Sequence, residues 1–147
     1  MEQVIKAEGN LKKRKKPVEA GRLVAELNFG FWTSLFNKNY EINTKNCKTP
    51  LWPEFLESVF PLIPSEQRTR KNISQRLDSI RKIRNRVFHY EPIYFLPDLE
   101  NLHFSIIETI GWFSSDLKNI VTQMDQFPRL HKLLKTQAKL SSSSLDA

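Results

Sequence analysis

Residues 65–92 read SEQRTRKNISQRLDSIRKIRNRVFHYEP, and this stretch decides the fold. Ser65 is a good N-cap, and Pro92 disfavours helical geometry at Glu91, so the spacing predicts one helix over residues 66–89. On a 100° wheel with Ile73 at zero, Leu77 falls at about 40°, Ile80 at about −20° and Val87 at about −40°. That narrow apolar stripe is expected to face other helices. Arg84 falls at about 20°, inside the stripe. A guanidinium cannot shed its proton to escape burial, so it needs a carboxylate, an anionic ligand or a wet seam. The structural alternative is a pair with an acid such as Glu108, or a side chain that reaches back to solvent.

The rest of the chain is read outward from that helix. Glycine is scarce, at four residues in 147, and proline repeatedly stands where helices begin. Upstream, a weak helix is expected over residues 3–13 and a stronger one from Pro17 to about residue 37. The latter carries Leu23, Leu27, Phe31 and Leu35 on one face. Gly30 inside it suggests close packing of another helix. A polar loop at 38–50 is followed by a short helix bearing Phe55, Leu56, Val59 and Phe60. Downstream, Pro97 and Asp98 start a helix with Leu99, Leu102, Ile106, Ile110 and Phe113 on one side. Ser114 or Ser115 caps its continuation to Met124, and Pro128 begins a last amphipathic piece. With no alternating β-branched segment and no internal repeat, the fold class is all-α, a helical bundle. Residues 1–16 form a basic N-terminal segment, 17–137 the helical domain, and 138–147 a tail with a serine run and little to anchor it.

Charge narrows the function. The chain carries 23 Lys and Arg against 16 Asp and Glu, a net +7, with a pI near 9.6. Residues 1–16 contribute +4 (six basic, two acidic) and residues 66–91 contribute +5 (eight basic, three acidic), so everything else sums to −2. A basic terminal run is usually a solvated tail. A basic concentration inside a structured helix points to an anionic partner, nucleic acid first and an anionic membrane surface second. The longest apolar run is four residues, 93–96, which leaves no transmembrane span and no signal-peptide core. A single cysteine, Cys47, permits neither an intramolecular disulfide nor a cysteine-built zinc site. A cytoplasmic protein is therefore expected. His103 and His131 are 28 positions apart without a matching carboxylate spacing, so no metal and no other cofactor is expected. Phe29, Phe31, Trp32 and Phe36 lack interleaved arginines and read as core rather than as a base-stacking platform; Trp52, Trp112 and Phe113 read as core too.

The residues next to Arg84 carry the chemistry. Asn85 and His89 are four apart and share a face, at about 120° and 160°. A lone histidine there is a C-terminal capping residue. Arginine, asparagine and histidine together are what RNA cleavage without a metal requires. Histidine exchanges a proton with the ribose 2′-hydroxyl or the leaving oxygen. Arginine forks onto a phosphate, and asparagine holds the imidazole or a phosphate oxygen. On a regular helix Arg84 and His89 point about 140° apart. Two copies of the helix about a two-fold axis would let both line one cleft, and so would local unwinding before Pro92.

Residues 84–89, RNRVFH, match the R-N-x-x-x-H form of the HEPN superfamily motif, and 89–93, HYEPI, resemble its continuation in Abi-like (abortive infection) proteins. Residues 27–32, LNFGFW, with Leu35 and Phe36, resemble the L-x-F-G-F-W segment of that family. Leu51-Trp52, Phe60-Pro61 and Ile110-Gly111-Trp112 resemble its later landmarks, in the same order, so that the resemblance covers about residues 17–125. It implies a HEPN-like, all-α helical bundle, usually a homodimer, in phage-defence or toxin systems. It also implies metal-independent endoribonuclease activity that leaves a 2′,3′-cyclic phosphate. Arg84 and His89 would be catalytic on that basis, with Asn85 as polar support; Arg81, Lys82 and Arg86 are read as steering RNA phosphates. HEPN domains also serve as non-catalytic RNA-binding modules or as partners of a nucleotidyltransferase-type antitoxin. Many Abi-like proteins are longer, so a missing N-terminal portion is an expectation. Tyr90 directly follows His89, whereas the toxins modified by their antitoxin carry a tyrosine two positions after the histidine; that modification is not carried over.

Overall fold

The computed structural model describes residues 2–42 and 49–143, with side chains to residue 137. The polar segment 43–48, which contains Cys47, lies outside the described residues. Among those described, eight α-helices and no strand are present: α1 (Glu2–Lys13), α2 (Ala20–Glu26), α3 (Phe29–Ser34), α4 (Leu56–Val59), α5 (Arg70–Phe88), α6 (Leu99–Phe113), α7 (Ser115–Met124) and α8 (Phe127–Ser143). The all-α bundle expected from periodicity is what the chain adopts. The tail expected at 138–147 lies outside the residues whose side chains are described, although the backbone of α8 continues to Ser143.

Two elements depart from the expected boundaries, and both departures are made by caps. The single helix expected from residue 17 to 37 is two helices. Leu27 turns extended (φ −84°, ψ 130°), and the Asn28 side chain accepts a hydrogen bond from the Phe31 amide at 2.9 Å, starting α3 afresh. Gly30 belongs to this restart and not to a helix crossing. A Cβ there would meet Asn28 Oδ1 at 3.1 Å, so glycine leaves room for the cap. The second departure concerns Ser65. It opens a separate 3-10 turn, Ser65–Gln67, and Thr69 caps α5, its hydroxyl accepting from the Asn72 amide at 3.2 Å. Ser114 does cap α7, accepting from the Leu117 amide at 3.2 Å.

The core collects Phe36, Trp52, Leu56, Phe60, Ile63, Ile73, Leu77 and Trp112, drawn from the segment just after α3, α4 and its flanks, the first half of α5, and α6. Phe36 stacks on Trp52 at 4.3 Å between centroids, and the Trp52 indole N–H donates to the Leu35 carbonyl at 2.6 Å. An aromatic body is thus buried with its polar edge satisfied. Trp32 and Phe113, read as core, are instead partly exposed. Arg76 locks α5 to α6. Its guanidinium lies 4.3 Å over the Trp112 ring, pairs with Glu108 and donates to Gln67 Oε1 at 3.2 Å. Arg70 fastens the other end of this half-helix, reaching Glu41 at 3.1 Å and the Phe36 carbonyl at 3.0 Å.

Candidate functional site at the free end of α5

The first half of α5 buries Ile73 and Leu77, as its apolar stripe requires. The stripe then leaves the bundle. In the second half the buried residue is Ile83, at about −80° on the same wheel, while Val87 is 53% exposed. Arg84 is exposed. The stripe expected to face other helices therefore meets the main core cluster only through Ile73 and Leu77, and of the alternatives for Arg84 the side chain that reaches solvent is the one found. Glu108, the acid considered for Arg84, serves Arg76.

Arg84 has no carboxylate partner among the described residues. Its Nη1 donates to Asn85 Oδ1 at 3.3 Å, and its guanidinium lies 4.4 Å over the Phe88 ring. Phe88 meets the imidazole of His89 edge-on at 6.4 Å. Arg84 and Asn85 are thus joined directly, and His89 stands beyond the Phe88 ring with its side chain exposed. All three lie at the C-terminal end of α5, with Arg84 and Asn85 in contact and His89 linked to them only through Phe88.

The backbone explains why the helix stops there. His89 is the C-cap, Tyr90 takes the left-handed conformation (φ 58°), and the Tyr90 and Glu91 amides donate to the Val87 and Arg86 carbonyls at 3.1 and 2.9 Å. This is a Schellman closure with tyrosine where glycine is usual. A side chain in that conformation costs about 1 kcal/mol. Arg86 Nε completes the turn from outside with Glu91 at 3.4 Å.

The three residues read as steering phosphates are all engaged. Arg81 and Lys82 both hold Asp78, at 2.6 and 3.0 Å, and Arg86 holds Glu91. Hydrogen bonds from Arg81 and then Lys82 keep the Asp78 carboxyl below its ordinary value of 3.8. Lys82 and Arg86 also line an open groove of about 570 Å³ between α5 and α6, with Arg76, Ser79, Ile83 and Leu102.

Sequence reasoning missed an aromatic group beside this end. Phe88, Tyr90, Tyr94 and Phe95 are all exposed, Tyr90 by 95%. The signal was present, since three of the four flank Pro92 and two lie in the longest apolar run of the chain. It also missed that His103 and His131 both stack on Phe127, at 4.3 and 5.0 Å between ring centroids. His103 Nε2 lies 2.7 Å from Asp125 Oδ2, and Asp125 Oδ1 caps α8 through the Phe127 amide at 2.9 Å, so this array fastens α8 to α6. Among the described residues no group of three or more His, Cys, Asp or Glu is placed to hold a metal ion, and no helix is long and apolar enough to cross a membrane. Comparison with family models, with curated proteins and with solved structures finds no significant match in any of the three.

Proposed function

We propose that this chain is a metal-independent endoribonuclease of the HEPN type, Abi-like in character, acting as a homodimer in phage defence or as a toxin in the cytoplasm. The observation that carries the reading is Arg84: an arginine without a carboxylate, joined to Asn85 and one ring away from His89, at the open end of the most basic helix. In the proposed reaction the ribose 2′-oxygen attacks the adjacent phosphorus. The new P–O2′ bond forms as the P–O5′ bond breaks, leaving a 2′,3′-cyclic phosphate and a 5′-hydroxyl. His89 takes the 2′-hydroxyl proton, and the 5′-oxygen leaves with a proton from the imidazole of the second copy. Arg84 forks onto the non-bridging oxygens, where charge grows, and Asn85 Oδ1 holds one of its nitrogens in place. Val87 and Phe88, apolar and exposed beside Arg84, supply surface that a second copy of α5 would cover, bringing two such ends to one cleft.

A second reading has its own support. Phe88 separates His89 from Arg84 within one chain, and Arg81, Lys82 and Arg86 are already paired. A non-catalytic module that binds RNA, or a partner such as a nucleotidyltransferase-type antitoxin, needs no closer approach. Induced expression separates the two. Growth arrest and RNA cleavage by the wild type, both lost in Arg84→Ala and His89→Ala with folding and dimer retained, support the nuclease. RNA retention with no cleavage over long incubation supports the module, and cleavage by His89→Ala at the wild-type rate overturns the assigned chemistry.

A further inference from the structure

We infer that α8 lies on an anionic lipid surface, its leucine side set into the headgroup layer and its cations against the lipid phosphates; the inference is independent of the RNA reading. Helix α8 presents three different sides. On a 100° wheel with Phe127 at zero, His131 falls at about 40°. Phe127 stacks on His103 of α6 at 4.3 Å and on His131 at 5.0 Å, so this side faces the bundle. Lys135, Lys132 and Arg129 follow at about 80°, 140° and 200°, and Leu133, Leu130 and Leu134 at about 240°, 300° and 340°. The three leucines are 53%, 49% and 51% exposed. Single exposed leucines are ordinary, but three adjoining on one helix face form an apolar stripe. The cationic side borders that stripe where Arg129 neighbours Leu133, about 40° away.

Charge selects what covers the stripe. Phe127–Ser143 contains no Asp or Glu. The acids beside α8 are taken on its bundle side: Asp125 by His103 at 2.7 Å, and Glu100 by Lys135 at 3.0 Å. Arg129 reaches the neutral Gln126 side chain at 3.2 Å, and neither it nor Lys132 has a carboxylate partner among the described residues. A second copy laid on the stripe would bring the same cations, with no acid on either helix to pair them. RNA would answer the cations and leave the leucines wet, since bases are held by stacking on aromatic rings. A protein groove that takes in a helix needs that helix free, whereas α8 is tied along one side to α6. A flat anionic lipid surface answers both sides at once. The leucines enter the boundary between headgroups and acyl chains, and the long basic stems reach back to the phosphates. No helix among the described residues is long and apolar enough to cross a membrane, so α8 would lie in the plane of the surface.

The test is co-sedimentation of the full chain with vesicles of phosphatidylcholine alone, and with vesicles that also hold about 30% phosphatidylglycerol. The anionic vesicles are expected to bind about tenfold or more tightly than the neutral ones. Leu130→Ser and Leu133→Ser are each expected to weaken that binding about tenfold, a loss that persists as salt is raised. Arg129→Gln is expected to weaken it about fivefold, a loss that disappears at high salt. All three positions are exposed, so each variant is expected to keep the wild-type urea midpoint. Arg129→Gln and either leucine variant still read the face if the other leucine variant unfolds. Anionic vesicles bound equally well by wild type and by both leucine variants place the contact on another basic segment and overturn the inference. A wild type that ignores anionic vesicles overturns it too. Leucine variants that then split an oligomer give the stripe to a second copy, and leucine variants that lose RNA give it to nucleic acid.

Discussion

The two halves of α5 both mix arginines with an apolar stripe and differ in what surrounds them. From Arg70 to about Ile80 every third or fourth side chain is held: Ile73 and Leu77 in the core, Arg70 on Glu41, Arg76 between Glu108 and Trp112. From Arg81 to His89 only Ile83 is buried, and the apolar stripe carries on into solvent through Val87 and Phe88. The first half shows how this fold employs an arginine for structure: a carboxylate, an aromatic face and a neutral acceptor converge on one guanidinium. Arg84 has the aromatic face and a neighbouring amide but no carboxylate. Among the arginines of α5, the difference marks Arg84 as the one whose charge is available to an incoming anion.

Substitutions that ignore function should grade this contrast. Ile73→Ala, at a position with no exposure, is expected to cost about 3 kcal/mol, whereas Val87→Ala costs well under about 1 kcal/mol; urea denaturation reads both. Arg76→Met should cost about 1–2 kcal/mol, since it removes the Trp112 contact and leaves Glu108 alone, while Arg84→Met should be close to neutral in the same assay. Equal costs for the two arginine variants would erase the distinction between the halves. Tyr90→Gly should stabilise by about 1 kcal/mol, raising Tm by about 3 °C, because it relieves the left-handed closure.

The smallest effect concerns pH. Asp78 is held below its ordinary value by Arg81 and Lys82, so it contributes stability that is fully present above about pH 5 and is lost as pH falls through its lowered folded value. The pair is largely solvated and the contribution small. The urea midpoints of wild type and Asp78→Asn should therefore differ at pH 6 and converge only as the pH falls below the lowered folded value of the Asp78 carboxyl. At neutral pH the same variant releases Arg81 and Lys82, so RNA binding is expected to tighten and its salt dependence to steepen.

Much of this was legible from residue order alone. Apolar periodicity located α5, α6, α7 and α8, Pro92 marked the end of α5, and Ser114 the start of α7. What periodicity supplies is the phase of a stripe, not the neighbours that cover it. Arg84 sits in the stripe and is exposed because the packing of α3, α4 and their flanks stops at Leu77. Which arginine would find Glu108 depended on the offset of α6 along α5, a tertiary quantity that places Arg76 there. The break at Leu27 and Asn28 was hidden for a related reason. Asn28 is tolerable inside a helix and excellent as a cap, and only the local chain path selects between the two. Arg84, Asn85 and His89 were legible as a motif at one helix end; that Arg84 contacts Asn85 and lies over Phe88 was not, since those contacts depend on side-chain conformations that spacing does not supply.

The most direct measurement is end-group analysis of a single-stranded RNA incubated with the purified chain in excess chelator. Wild type should yield fragments ending in a 2′,3′-cyclic phosphate and beginning with a 5′-hydroxyl, with Arg84→Ala yielding none. Intact RNA with the folded wild type, or the same fragments at the same rate from Arg84→Ala, would contradict the assignment of this helix end to RNA chemistry.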